Sequence, residues 1–135
     1  VIVLLEPKWN AKEIRFDVRM QKIPWCGDEE LLQQLWINLI ENAIKFSYQS
    51  GTISVIAASS DHEINIEISD NGPGMSEETK DRIFERFYQG SNSHSEEGSG
   101  LGMSIVKRIL DLTGGKIQIK SSPDQGTSFL IKLPL

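Results

Sequence analysis

Leu35-Trp36-Ile37-Asn38-Leu39-Ile40-Glu41-Asn42-Ala43-Ile44-Lys45-Phe46 is the stretch on which the fold turns. Together with Leu32, its residues Leu35, Trp36, Leu39, Ile40, Ala43 and Ile44 recur at helical spacing, which predicts a long helix with one face in the core. Asp28 is placed to cap that helix, Glu29 and Glu30 suit its positive end, and it is expected to stop near Ser47. A second stripe, Gln34, Asn38, Asn42 and Lys45, falls at steps of four, four and three. Taken alone, such a stripe is the ordinary solvated face of a helix. Its Asn38, Asn42 and Lys45, two amides and a lysine, also suit Mg and polyphosphate, because Mg keeps most of its waters and takes one or two protein oxygens while Lys supplies a point charge.

Upstream of the helix, Ile14, Phe16 and Val18 alternate with Arg15, Asp17 and Arg19, the period of a half-buried strand. Downstream, Ile53, Val55 and Ala57, then Ile64, Ile66 and Ile68, predict a hairpin joined by the polar turn Ser59-Ser60-Asp61-His62. Ser76 can cap a short helix through Arg82, and the Ser, Gly, Glu and Asn of 90–100 predict a mobile surface loop. A second long helix from about Leu101 should carry Ile105, Val106, Ile109 and Leu110 inward until Gly114-Gly115 stops it. Closing strands are expected around Ile117-Gln118-Ile119 and from Phe129 to Leu133. The fold class is therefore α/β: a two-layer sandwich of a mixed, mostly antiparallel sheet of about five strands against about three helices.

The 135 residues, 39% hydrophobic and 24% charged, suffice for one globular domain with a continuous core, and residues 1–135 are read as a single domain without repeats. A formal charge of −5, with Lys and Arg dispersed among carboxylates, argues against nucleic acid as a partner. The lone Cys26 forms no internal disulfide, so a reducing, cytoplasmic compartment is expected. Val1 to Leu5 is too short an apolar run to span a bilayer, and no direct membrane contact is expected of this segment. The start without Met reads as an excision, with 1–13 a truncated first element.

Asp70 stands where a strand of isoleucines meets the Gly72-Pro73-Gly74 turn, at the edge of the core, from which a carboxylate can accept from an exocyclic amine. By itself Asp-Asn-Gly is a common turn opening. Gly98-Ser99-Gly100-Leu101-Gly102 runs straight into a helix, so several backbone N–H groups and the positive helix end could face one anion. It is neither the dinucleotide fingerprint nor a P-loop, and the His-Arg-Asp and Asp-Phe-Gly signatures of eukaryotic-type kinases are missing.

In order, these pieces resemble the sequence boxes of the sensor histidine kinase catalytic domain, in the superfamily with gyrase, the large heat-shock chaperone ATPase and the mismatch-repair ATPases. Leu35 to Phe46 resembles the N box, Asp70 to Met75 the G1 box, Ile83-Phe84-Glu85-Arg86-Phe87-Tyr88 the F box, Gly98 to Ser104 the G2 box and Gly126-Thr127-Ser128-Phe129 the G3 box. The resemblance implies ATP and Mg2+ as cofactors, with Asn42 as the metal ligand, Asn38 and Lys45 on the phosphates, and these three as the catalytic residues. It assigns Asp70 to the adenine amino group, Gly72 and Gly74 to close approach of the base, and Thr127 to closing the site beside it. Gly98, Gly100 and Gly102 belong by the same token to the phosphate end of a lid over 89–101, anchored by Phe84, Phe87 and Tyr88. Phe46, Met75, Phe87, Leu101 and Met103 complete the implied binding set.

Two departures from the family pattern stand out. The ATP-hydrolysing relatives carry Glu where this chain has Asn38, and an amide is no base for water, so phosphoryl transfer is favoured over fast hydrolysis. Gln89 replaces the Arg that many members place after the Phe-Tyr of the F box, which leaves phosphate charge to Mg2+, Lys45, the G2 backbone and Arg86. Neither His62 nor His94 has the acceptor pattern, Arg three and Pro five residues on, so the phosphoacceptor is expected on a separate helical domain of a homodimer. A response regulator receiver domain is the implied next partner. An ATP-driven clamp and an anti-sigma serine kinase are the competing readings.

Overall fold

The Asp28 carboxylate accepts from the backbone N–H groups of Glu30 (2.9 Å) and Leu31 (3.3 Å) and so starts the long helix at the expected residue. In the computed structural model, which describes residues 10–20, 28–60, 62–85 and 102–134, this helix is α1 (Glu29–Phe46), with Ser47 as its C-cap. The other elements are β1 (Arg15–Met20), β2 (Thr52–Ser59), β3 (Glu63–Asp70), α2 (Glu77–Arg82), α3 (Gly102–Thr113), β4 (Lys116–Ser121) and β5 (Thr127–Pro134). Ser76 caps α2 by accepting from the Thr79 N–H at 3.2 Å. Gly114, at φ +76°, ends α3, and the Gly115 N–H turns back to the Leu110 carbonyl at 2.8 Å.

The five strands form one sheet in the order β1-β2-β3-β5-β4. β1 runs parallel to β2, with α1 as the crossover between them, and every other pairing is antiparallel. Register puts like with like: Val55, Ile68, Phe129 and Ile119 form one cross-strand row, and Ala57, Ile66, Ile131 and Ile117 the next. These rows meet Leu35, Leu39 and Ala43 of α1 and Val106, Ile109 and Leu110 of α3 in one hydrophobic core. The outer face is polar, as in the Ser69–Ser128 hydroxyl contact at 2.9 Å.

The expected two-layer α/β architecture is thus the observed one. Two apolar positions differ from expectation. Val18 is 43% exposed on β1, which is an edge strand among the described residues. Ile105, expected inward, is 37% exposed. It lies about 100° around the helix from Val106, off the stripe that Met103, Val106, Ile109 and Leu110 define. Among the described residues no helix is long and apolar enough to cross a membrane.

Ile105→Ser should therefore change unfolding free energy by no more than about 0.5 kcal/mol. Leu110→Ala, at a fully buried position, should lose about 2–5 kcal/mol. Urea titrations of the two variants check the contrast.

A candidate nucleotide site along the first helix

α1 lays out the site like a ruler. From Asn38 to Phe46 it advances eight residues, about 12 Å, a span comparable with an extended nucleotide. At its C-terminal end the chain approaches itself closely: a Cβ on Gly72 would overlap the Phe46 carbonyl oxygen, and one on Gly126 would overlap the Asp70 carbonyl oxygen. Only glycine fits at these two positions, and Gly126 also needs its φ of +76°. Asp70, Gly72, Phe46 and Thr127 are thereby gathered at one end, with Asp70 paired directly to Thr127 across β3 and β5.

The Asp70 carboxylate accepts the Gly72 N–H at 2.9 Å. Burial pushes its pKa up to about 6, against the opposing effects of backbone hydrogen bonds from Gly72 and Thr127 and of the charge on Lys12. A carboxylate of this kind is poised to accept a hydrogen bond and gains from any donor brought to it. Thr127, almost fully buried, shares its hydroxyl with Ser121 at 2.9 Å, and Ser121 also receives the Met75 N–H at 2.7 Å. Hydroxyls and backbone of β4 and β5 therefore fix the Gly74–Met75 side of the pocket.

The other end lies between α1 and the start of α3. Asn38 donates its amide nitrogen to the Gln34 carbonyl at 2.7 Å. That bond leaves the amide oxygen beside Gly102, where an added Cβ would sit 3.2 Å from it. Asn42, one turn along, holds a buried amide nitrogen without a hydrogen-bond partner among the described residues. Such an orphan costs about 1–3 kcal/mol in a finished core, so its place on an otherwise committed helix fits a position completed by a ligand. The oxygen of the same neutral amide is a ligand type that Mg2+ accepts alongside its waters. The Lys45 ammonium lies 5.6 Å from the centroid of the Phe46 ring, within cation–π range.

Met75, Met103 and Phe46, assigned to the binding set from the sequence, are buried side chains. Phe84 is packed against the core. Phe87, Gly98, Gly100 and Leu101, with the lid expected over 89–101 and Arg86, Tyr88 and Gln89, lie outside the described residues. Lys12 is a residue that sequence reasoning missed. It sits in the segment taken as a remnant, and its contacts are with Ile44 and Lys45, more than thirty positions away, so no local pattern could reveal it.

Residues 27–135 match the family described as histidine kinase-, DNA gyrase B-, and HSP90-like ATPase. The chain belongs to this family. Within it, the similarity is to sensor kinases. The adaptive-response sensory kinase SasA of Prochlorococcus marinus (strain MIT 9313) is 36% identical over 138 residues, covering 99% of this chain and 37% of the relative. The mycobacterial sensor histidine kinase MprB aligns with a TM-score of 0.85 at 30% identity, covering 96% of this chain and 90% of that one. Histidine kinase ThkA, solved in complex with the response regulator protein TrrA, aligns at 0.78 and 27% identity over 98% of this chain and 37% of that one. This family member is thus a catalytic, ATP-binding domain of the sensor histidine kinase type, and it spans about a third of the length of the curated relatives it matches.

The raised pKa of Asp70 has a signed consequence for stability. Between its ordinary value of 3.8 and its folded value of about 6, the folded state of this family member binds the extra proton. Asp70 therefore favours folding most at the acid end of that window, and its contribution falls as pH rises through about 6. Without nucleotide, the stability of wild type relative to Asp70→Asn should drop by about 2–3 kcal/mol between roughly pH 4 and pH 7. Urea melts at closely spaced pH values measure this difference.

Proposed function

We propose that this domain binds Mg-ATP with adenine at Asp70 and polyphosphate along Asn38, Asn42 and Lys45, and passes the γ-phosphoryl group to a histidine on a separate helical domain. The observation that carries this reading is the pairing of ends on α1: a half-buried carboxylate among glycines at one, and amide oxygen facing the start of α3 at the other. The carboxylate accepts from the adenine amine, whereas guanine presents a carbonyl at that position and meets repulsion. Gly72 and Gly74 let the base lie against backbone. The N-terminal end of α3 offers N–H groups and a positive dipole to the phosphates, with Gly98, Gly100 and Leu101 completing that cradle.

Mg2+, when bound at Asn42, supplies neutralisation of phosphoryl charge. Lys45 adds a cation on the same side, and the family resemblance assigns Phe87 to the binding set. Asn38 orients a phosphate oxygen but takes no proton from water, because an amide has no useful basicity. Hydrolysis of the clamp type is therefore not favoured, and the acceptor imidazole itself is the nucleophile. The acceptor domain belongs to the same protein within a homodimer, in the cytoplasm, and its phosphohistidine serves the receiver domain of a response regulator. Support for that last step comes from the sensory-kinase character of the relatives and from the ThkA–TrrA complex.

Asp70→Asn should weaken ATP and ADP binding by about 1.5–3 kcal/mol, roughly ten- to a hundredfold, with the fold intact. Calorimetry with ADP, ATP and GTP decides the point; equal affinities in variant and wild type would remove Asp70 from adenine recognition. Asn42→Asp should change the Mg2+ dependence of ATP binding, since a full charge replaces a neutral ligand. Superimposable Mg2+ titrations would count against Asn42 as the metal ligand.

A chain of this kind should take up no stoichiometric acid-labile label from radioactive Mg-ATP alone. Label should appear on an added helical phosphoacceptor domain from the same protein. Stoichiometric labelling of His62 or His94 would contradict the separate acceptor.

A further inference from the structure

Lys12 lies outside all five boxes, yet it is built into the site. Its ammonium donates to the carbonyls of Ile44 (2.8 Å) and Lys45 (3.0 Å), in the last turn of α1, where helix carbonyls lack partners within the helix. A cation there also meets the negative end of the helix dipole. Three bonds hold the backbone that presents it: Ser50 N–H to the Lys12 carbonyl (2.8 Å), Arg15 N–H to the Gly51 carbonyl (2.9 Å), and the Ser50 hydroxyl to the Glu13 carboxylate (3.0 Å). Next to this knot, Asn71 accepts the Thr52 N–H at 3.0 Å, and a Cβ on Gly51 would come within 2.9 Å of the same Asn71 oxygen. The segment before β1, the end of α1 and the turn that follows Asp70 are thus one packed unit.

Resting on the adenine role of Asp70, we propose that Lys12 is a positioning residue of the nucleotide site, one that ties the last turn of α1 to the Asp70 turn and supplies the positive charge acting on the base-recognising carboxylate. Electrostatics agree with the geometry: Lys12 draws the pKa of Asp70 down, and Asp70 draws that of Lys12 up, each against the effect of burial. Among the described residues, the neighbouring groups are engaged elsewhere or uncharged. Glu13 is bonded to Ser50, Lys45 lies over the Phe46 ring, and β2 and β5 place the uncharged Ile53 and Thr127 opposite Asp70.

The test compares wild type, Lys12→Gln, Lys12→Arg and Asp70→Asn across about pH 4.5 to 8 by two readouts. One is the carboxyl carbon shift of Asp70 by NMR without nucleotide; the other is ADP affinity by calorimetry. Lys12→Gln should raise the Asp70 midpoint by about half a unit or more, and move the acid loss of ADP binding upward by the same amount. Lys12→Arg should restore both, and Asp70→Asn should flatten the ADP profile. Uniform weakening at every pH with the Asp70 midpoint in place would mean a simple helix tie and overturn the proposal. Should Lys12→Gln not fold, the reciprocal shift decides: the Lys12 ammonium must titrate at lower pH in Asp70→Asn than in wild type, and an unchanged midpoint overturns the coupling. Absence of ADP binding by wild type at every pH overturns the adenine reading, and the positioning role with it, whereas a fixed Asp70 midpoint in a wild type that binds ADP overturns Lys12 alone.

Discussion

Holding a carboxylate partly out of water at the end of β3 is the constraint around which this domain is arranged. Desolvation works against the charge of Asp70, and the fold answers with backbone N–H groups from Gly72 and Thr127 and with the Lys12 ammonium. The two N–H donors and the ammonium come from three separate stretches of chain, and tight approaches at Gly72 and Gly126 close the backbone around Asp70. The charged carboxylate is therefore costly to the protein even with these partners in place.

The same logic runs along α1. Its apolar stripe is committed to the sheet and to α3, so its rotation about its own axis is fixed by the core. With rotation fixed, Asn38 and Asn42 are fixed too, one with its oxygen turned toward the start of α3 and the other with an amide nitrogen that has no hydrogen-bond partner among the described residues. Amides suit phosphoryl transfer to a protein better than hydrolysis, because they orient and ligate without deprotonating water. Packing thereby decides where the two amides sit.

Much of this was legible in the sequence, for reasons that can be named. Local signals are legible where the physics is local: the Asp28 and Ser76 caps, the Gly114 stop and the alternating apolar residues of β2 and β3 all form where expected. Ile105 was misplaced because Ile105-Val106 offers two adjacent apolar residues to one stripe, and only the packed helix shows which one turns in. Lys12 stayed invisible because its role depends on contacts across more than thirty residues, and a lysine before a strand has no distinguishing pattern. Strand order escaped the sequence as well: alternation predicts a strand, but β5 inserting between β3 and β4 is a property of the assembled sheet.

That insertion is what makes the base end of the site possible. Because β5 lies beside β3, Thr127 faces Asp70, and Gly126 can press its Cα against the Asp70 carbonyl. Had β4 taken that place, Ser121 and its neighbours would stand there instead, and the Ser121 hydroxyl would lose its bridging position between Met75, Gly126 and Thr127. Topology, rather than any single box of sequence, thus carries residues more than fifty positions apart into one wall. A wall assembled in this way cannot form before β5 docks, so the surroundings of Asp70 report on the completed sheet and not on the N-terminal half of the chain alone.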